Sequence, residues 1–127
     1  MLLLVSTNVL SDEYKCKVKE IQQLNSDGKL SENEYTKTLQ KYNVTLIWGD
    51  STHVLRHLDE KGDDFCCTRL YDVIQSGGSE NGLKASHIQN GLASIFVSYF
   101  SIYTFEKELP FLLNDGGDNL TGNYIRL

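Results

Sequence analysis

The chain has 127 residues, 17 acidic and 12 basic side chains, a formal charge of −5 and 40% hydrophobic residues. A chain of this length forms one domain, residues 1–127, and buries roughly two-thirds of its unfolded surface without covalent staples. The composition excludes intrinsic disorder, and the acidic balance argues against nucleic acid as a partner.

The opening Met1-Leu2-Leu3-Leu4-Val5 is apolar but has no basic leader, and Ser11-Asp12-Glu13 soon ends the trend, so no signal peptide is expected. Tyr14, Val18, Ile21 and Leu24 recur at helical spacing and predict a helix over 11–27, stopped by Gly28 in the left-handed conformation. Ser31 followed by Glu34 reads as a capping box, with Leu30 and Tyr35 as its hydrophobic staple, and predicts a second helix over 31–42. Val44-Thr45-Leu46-Ile47-Trp48 suits a short strand over 44–48, with residues 2–6 as its partner, and equally suits a lead into the next helix. A third helix over 50–61 would start at Asp50 or Ser51, bury Val54, Leu55 and Leu58, and end at Gly62. A fourth over 64–76 would carry Asp63 and Asp64 at its positive end and repeat Cys67, Leu70, Tyr71 and Ile74. Residues 76–82, with Gly77-Gly78, read as a loop.

The longest expected helix covers 85–109, where Ile88, Leu92, Ile95, Phe96, Tyr99, Ile102 and Tyr103 recur at three- and four-residue steps. Ser86 would cap it and Pro110 would end it. Ile95-Phe96-Val97-Ser98-Tyr99-Phe100 also suits a strand, but the length and rotational pattern favour a helix. Serines, Gln89 and Asn90 throughout this uncharged stretch argue against a membrane span. The expected fold is mainly α, a single compact domain of about five helices with at most a two-strand element. An α+β fold with a small sheet is the competing reading.

Asn25 to Glu34 resembles an EF-hand calcium loop, with Gly28 as the turn glycine, Asn25, Asp27 and Ser31 at ligand positions and Glu34 at the bidentate one. Gln23 stands where the leading aspartate belongs, and a glycine stop plus a capping box explains the same residues. His53 and His57 stand four apart, a spacing that suits a metal on a helix, but no third ligand follows at a recognised spacing. Cys16, Cys66 and Cys67 are an odd set and a poor disulfide framework, so reduced thiols in the cytoplasm are expected, with Cys66 and Cys67 as buried small side chains. No hydrolase elbow, phosphate loop, dinucleotide fingerprint or zinc-protease motif occurs. The expectation is therefore a non-enzyme with no cofactor, no metal and no catalytic residues.

Charge placement supplies the remaining signal. Residues 1–43 hold six basic and six acidic side chains, whereas residues 44–83 hold three basic and seven acidic. Asp59, Glu60, Asp63 and Asp64, flanked by Asp50 and Asp72, would present an acidic surface to a basic protein partner, with Trp48 and Tyr71 as aromatic anchors. In size, acidity and lack of catalytic motifs the chain resembles the bacterial immunity and antitoxin proteins. That resemblance implies a small inhibitor that occludes the basic active site of a nuclease-like toxin. A calcium- or metal-responsive regulatory module is the alternative.

Overall fold

The computed structural model describes residues 13–78, 80–104 and 110–127. In chain order the elements are β1 (Glu13–Leu24), β2 (Leu30–Ser31), α1 (Glu34–Gln40), β3 (Thr45–Gly49), β4 (Val54–Leu58), β5 (Asp64–Leu70), β6 (Asp72–Gln75), β7 (Leu83–Asn90), β8 (Ile95–Ile102), β9 (Pro110–Asp115) and β10 (Asp118–Arg126). Strands take 61% of the described residues and helix 6%, so the expectation of a mainly α domain is overturned. One antiparallel sheet, in the order β5-β4-β3-β1-β10-β9-β8-β7-β6, curls into a nearly closed barrel.

The error has a physical cause, visible in β1. Its inward residues are Tyr14, Cys16 and Val18, then Ile21, because Lys19 is an extra residue where the register against β10 shifts between Val18 and Glu20. A bulge of this kind reverses the alternation of a strand. The resulting spacing of Tyr14, Val18, Ile21 and Leu24 matches a helix, although the segment is extended. The same correction applies to the other expected helices. Residues 50–61 form a turn and β4, residues 64–76 form β5 and β6, and the described part of 85–109 forms β7 and β8. Residues 44–48 fall on a strand as expected, β3, which pairs with β1 and β4. Their expected partner, 2–6, lies outside the described residues, as does the end of the long helix at 105–109.

The single described helix, α1, starts two residues later than the capping box at Ser31 predicts. Asn33 is the cap: its side chain accepts from the Thr36 N–H, and the Thr36 hydroxyl accepts from the Asn33 N–H, each at 2.9 Å. Ser31 lies in β2 opposite Gln23 and takes a hydrogen bond from the Asn25 side chain. Gly28 does adopt a positive φ, 81°, but in the hairpin turn from β1 to β2.

Antiparallel connections alternate between the two ends of a barrel. The β4–β5 turn (59–63), the β7–β8 turn (91–94), the β9–β10 turn (116–117) and α1 lie at one end. The β3–β4 turn (50–53) and residues 76–78 and 80–82 between β6 and β7 lie at the other. The inward faces of the strands make one core: Trp48 with Tyr71 and Phe100, and around them Leu46, Leu55, Leu83, Ile102, Phe111, Leu113 and Tyr124. Where β10 crosses the bulge of β1, Gly122 leaves no room for a side chain: a Cβ there would overlap the Lys17 carbonyl.

The barrel's edges are β5 and β6, which are separated in the chain only by Tyr71. Around this junction, the Tyr71 N–H donates to the His53 carbonyl at 2.8 Å, and His87 Nδ1 lies 2.9 Å from the Leu70 carbonyl oxygen. Among the described residues no helix is long and apolar enough to cross a membrane. The outward positions Lys15, Lys17 and Lys19 of β1 are exposed charges around an apolar interior.

Candidate functional site

Alternation along the strands puts several polar side chains inside the barrel near the end that carries α1. The Arg69 guanidinium on β5 donates to the Asp115 carboxylate on β9 at 2.9 Å, with both side chains less than a fifth exposed. Arg69 also lies over the Phe96 ring, 4.4 Å from its centroid. Ser98 on β8 is in register with Asp115, and its hydroxyl is 2.7 Å from that of Tyr71. Tyr71 has its pKa raised by burial, with the Ser98 hydrogen bond opposing.

His57 on β4 completes the group. It is 4% exposed, and its Nε2 is buried with no hydrogen-bond partner among the described residues. Burial lowers its pKa, with the charge of Asp115 acting in opposition and that of Arg69 adding to the shift. His57 is therefore a neutral imidazole at neutral pH. It lines a cavity of about 140 Å³, walled by Ile21, Val44, Phe65 and Leu120, by the Cys66 and Cys67 pair and by the carboxylates Asp115 and Asp118, with Tyr35 and Leu39 of α1 beside them.

The β5 wall of this cavity is irregular. The register against β4 shifts on both sides of His57, and Cys67 has a positive φ of 64°, a left-handed conformation that non-glycine residues seldom adopt. Cys66 and Cys67 are joined in a disulfide, contrary to the expectation of two buried, reduced thiols. Cys66 is exposed and Cys67 half-buried. Cys16 is the buried free thiol, and burial pushes its pKa far above the ordinary thiol value.

No family model, no curated protein and no solved structure matches this chain. The reading of the site therefore rests on its own geometry.

The residues expected to make an acidic surface are divided between the two ends of the barrel and its core. Asp59, Glu60 and Asp63 share the β4–β5 turn, beside a hollow that Lys41 and Lys61 also line. The Asp59 carboxylate accepts from the Lys61 and Asp63 backbone N–H groups at 2.9 and 3.0 Å, which is the work of a turn former. Asp64 pairs with Arg56 at 3.3 Å in the open. Asp50 lies in the turn at the opposite end of the barrel, where it accepts from the Trp48 indole N–H at 3.3 Å. Asp72 is an exposed residue at the start of β6. Trp48 and Tyr71, expected as exposed anchors, are 0% and 1% exposed and belong to the core.

The metal alternatives fare similarly. His53 sits in the β3–β4 turn, stacked on Trp48, while His57 points into the barrel. The residues of the calcium-loop resemblance are engaged elsewhere: Asp27 accepts from the Lys29 N–H, and Asn25 bonds to Ser31 and Asn33. Among the described residues no three His, Cys, Asp or Glu side chains gather as metal ligands.

Arg69, Ser98 and Asp115 were not singled out in the sequence. They are far apart in the chain and meet only because β5, β8 and β9 face the same interior. The one local sign was Asp115 itself, a carboxylate two residues after the apolar run Phe111-Leu112-Leu113.

Proposed function

We propose that this chain is a non-enzymatic binding protein whose ligand is a small neutral molecule with an apolar body and one hydrogen-bonding group. The observation that carries the reading is the buried, unpartnered Nε2 of His57 at the wall of the 140 Å³ cavity. An unsatisfied buried polar atom costs about 1–3 kcal/mol, which a ligand hydroxyl or carbonyl would recover.

Size narrows the class. Drug-sized ligands occupy roughly 300–1,000 Å³, whereas an apolar cavity of about 150 Å³ takes a molecule the size of benzene. Charge narrows it further. Arg69 offsets Asp115 and His57 is neutral, and the Asp118 carboxylate, which accepts from the Gln23 amide, leaves a negative wall that disfavours an anion. A phenol-like compound fits both limits.

The broad class expected from the sequence, a protein that binds rather than catalyses, is retained, but its object changes. A toxin-blocking acidic surface is not favoured, because its aromatic anchors are core residues and its carboxylates are divided between opposite ends and shared with lysines. The test is titration with phenol and with benzene, followed by calorimetry and by amide chemical shifts. Phenol is expected to bind in the millimolar range or tighter and to move the amides of 55–58 and 64–70. His57→Leu is expected to weaken phenol while sparing benzene. If neither compound shifts those amides at millimolar concentration, the reading is wrong.

A further inference from the structure

We propose that Cys66–Cys67 is a thiol–disulfide exchange site through which a dithiol reductant resets the β5 wall of the cavity. The proposal adds control to the binding site above and rests on that reading only for its effect on a ligand. Its own basis is the placement of the pair. Two neighbouring residues are closed into one small ring on an edge strand; both line the cavity, and Cys66 is the more exposed of the two. A structural cross-link draws its stabilisation from closing a long loop of chain. This one closes no loop beyond its own peptide, so it contributes almost nothing in that way, and a local role remains.

The local role follows from the backbone. Cys67 is left-handed at φ 64°, in the bulge that shifts β5 against β4 next to His57. While the ring is closed, Cys67 is held in that conformation, and with it the wall formed by Phe65 and Cys67. With the ring open, Cys67 is free to return to the extended region that a β-branched or sulfur-bearing residue prefers, and the bulge can shift along β5.

The chemistry balances. A thiolate of the dithiol attacks the exposed Cys66 sulfur, forms a mixed disulfide with it and displaces Cys67 as a thiolate. The second thiol of the reductant, as its thiolate, then attacks the reductant's own sulfur in that mixed disulfide and releases Cys66 as a thiolate. The dithiol leaves oxidised to a cyclic disulfide, its two protons pass to Cys66 and Cys67, and two electrons have been transferred to the protein. Cys16 takes no part, since its thiol is buried and kept protonated.

The experiment uses the full chain with dithiothreitol as the reductant. Folded protein is alkylated with iodoacetamide before and after reduction, and amide spectra are recorded in both states. Expected is no labelling of Cys66 or Cys67 before reduction, labelling of both after it, and shifts in the amides of 55–58 and 64–70 that reverse on reoxidation. Cys16→Ser should keep the whole response, and Cys66→Ser should lose it while keeping the remaining spectrum. Phenol affinity should change about fivefold or more between the two states, the lower range of ordinary coupling between sites. Labelling of both thiols without reductant, or a spectrum indifferent to reduction, overturns the proposal. Phenol binding in neither state would defeat the ligand reading alone, since the thiol count and the amide shifts need no ligand.

Discussion

Arg69 and Asp115 allow the interior of the barrel to be tested most directly. Their side chains are 19% and 17% exposed and form a hydrogen-bonded ion pair at 2.9 Å. Removing one partner of a fully buried pair costs about 3–5 kcal/mol because the other charge is left without compensation. The residual exposure here lowers that to about 2–3 kcal/mol for Asp115→Leu. Arg69→Met forfeits in addition the contact with Phe96, about 1 kcal/mol. Replacing both removes the stranded charge, so the double variant should be no less stable than the weaker single one, a coupling of about 2 kcal/mol or more. Urea unfolding of the four proteins at neutral pH measures this. Arg69→Met should also recover part of its loss as pH falls, since His57 is then relieved of the Arg69 charge and can protonate beside Asp115. Losses that simply add in the double variant would show that the two side chains are solvated independently, and the closed interior described above would be wrong.

His57 makes stability depend on pH in a defined direction. Its pKa is lowered in the fold, chiefly by burial, so below about pH 6.5 the unfolded chain takes up a proton that the folded chain refuses. Unfolding free energy should therefore fall with pH from neutrality downward, by at most about 1.4 kcal/mol per pH unit from this group, and His57→Leu should flatten the slope between pH 7 and 5. Gly122→Ala forces a side chain onto the Lys17 carbonyl at the β1 bulge and should destabilise the protein by about 2–4 kcal/mol in the same unfolding assay. Asn33→Ala removes the cap of α1 together with its bonds to Gln23 and Asn25, and should cost about 1–2 kcal/mol and raise hydrogen exchange of the Thr36 and Lys37 amides.

Local signals survived in the sequence where one turn or one cap decided the outcome. Gly28 was expected to be left-handed and is, and 44–48 was expected to suit a strand and lies on one. The long-range arrangement was illegible for two physical reasons. First, a bulge changes the phase of inward residues: the shift at Lys19 in β1 turns a period of two into a spacing of three between Val18 and Ile21. Second, the interior of a narrow barrel has little volume, so its inward positions take Cys16, Ala85 and Ser98 among the large residues. That blurs the apolar and polar alternation by which a strand is recognised, and in β8 it left Ser98 looking like the polar side of a helix. The site suffered more, because Arg69, Ser98 and Asp115 share no motif and are gathered only by closure of the sheet.

The strand order has a consequence for how the molecule assembles. Strands β3 to β5 and β6 to β10 each join neighbours in the chain, but β1 pairs with β10 across almost the whole sequence, Tyr14 opposite Arg126. Two meanders can thus form early from nearby contacts, while the ring between them must wait for the costliest loop to close. Refolding is expected to be limited by that late meeting, and the interior polar cluster comes into being only when it occurs.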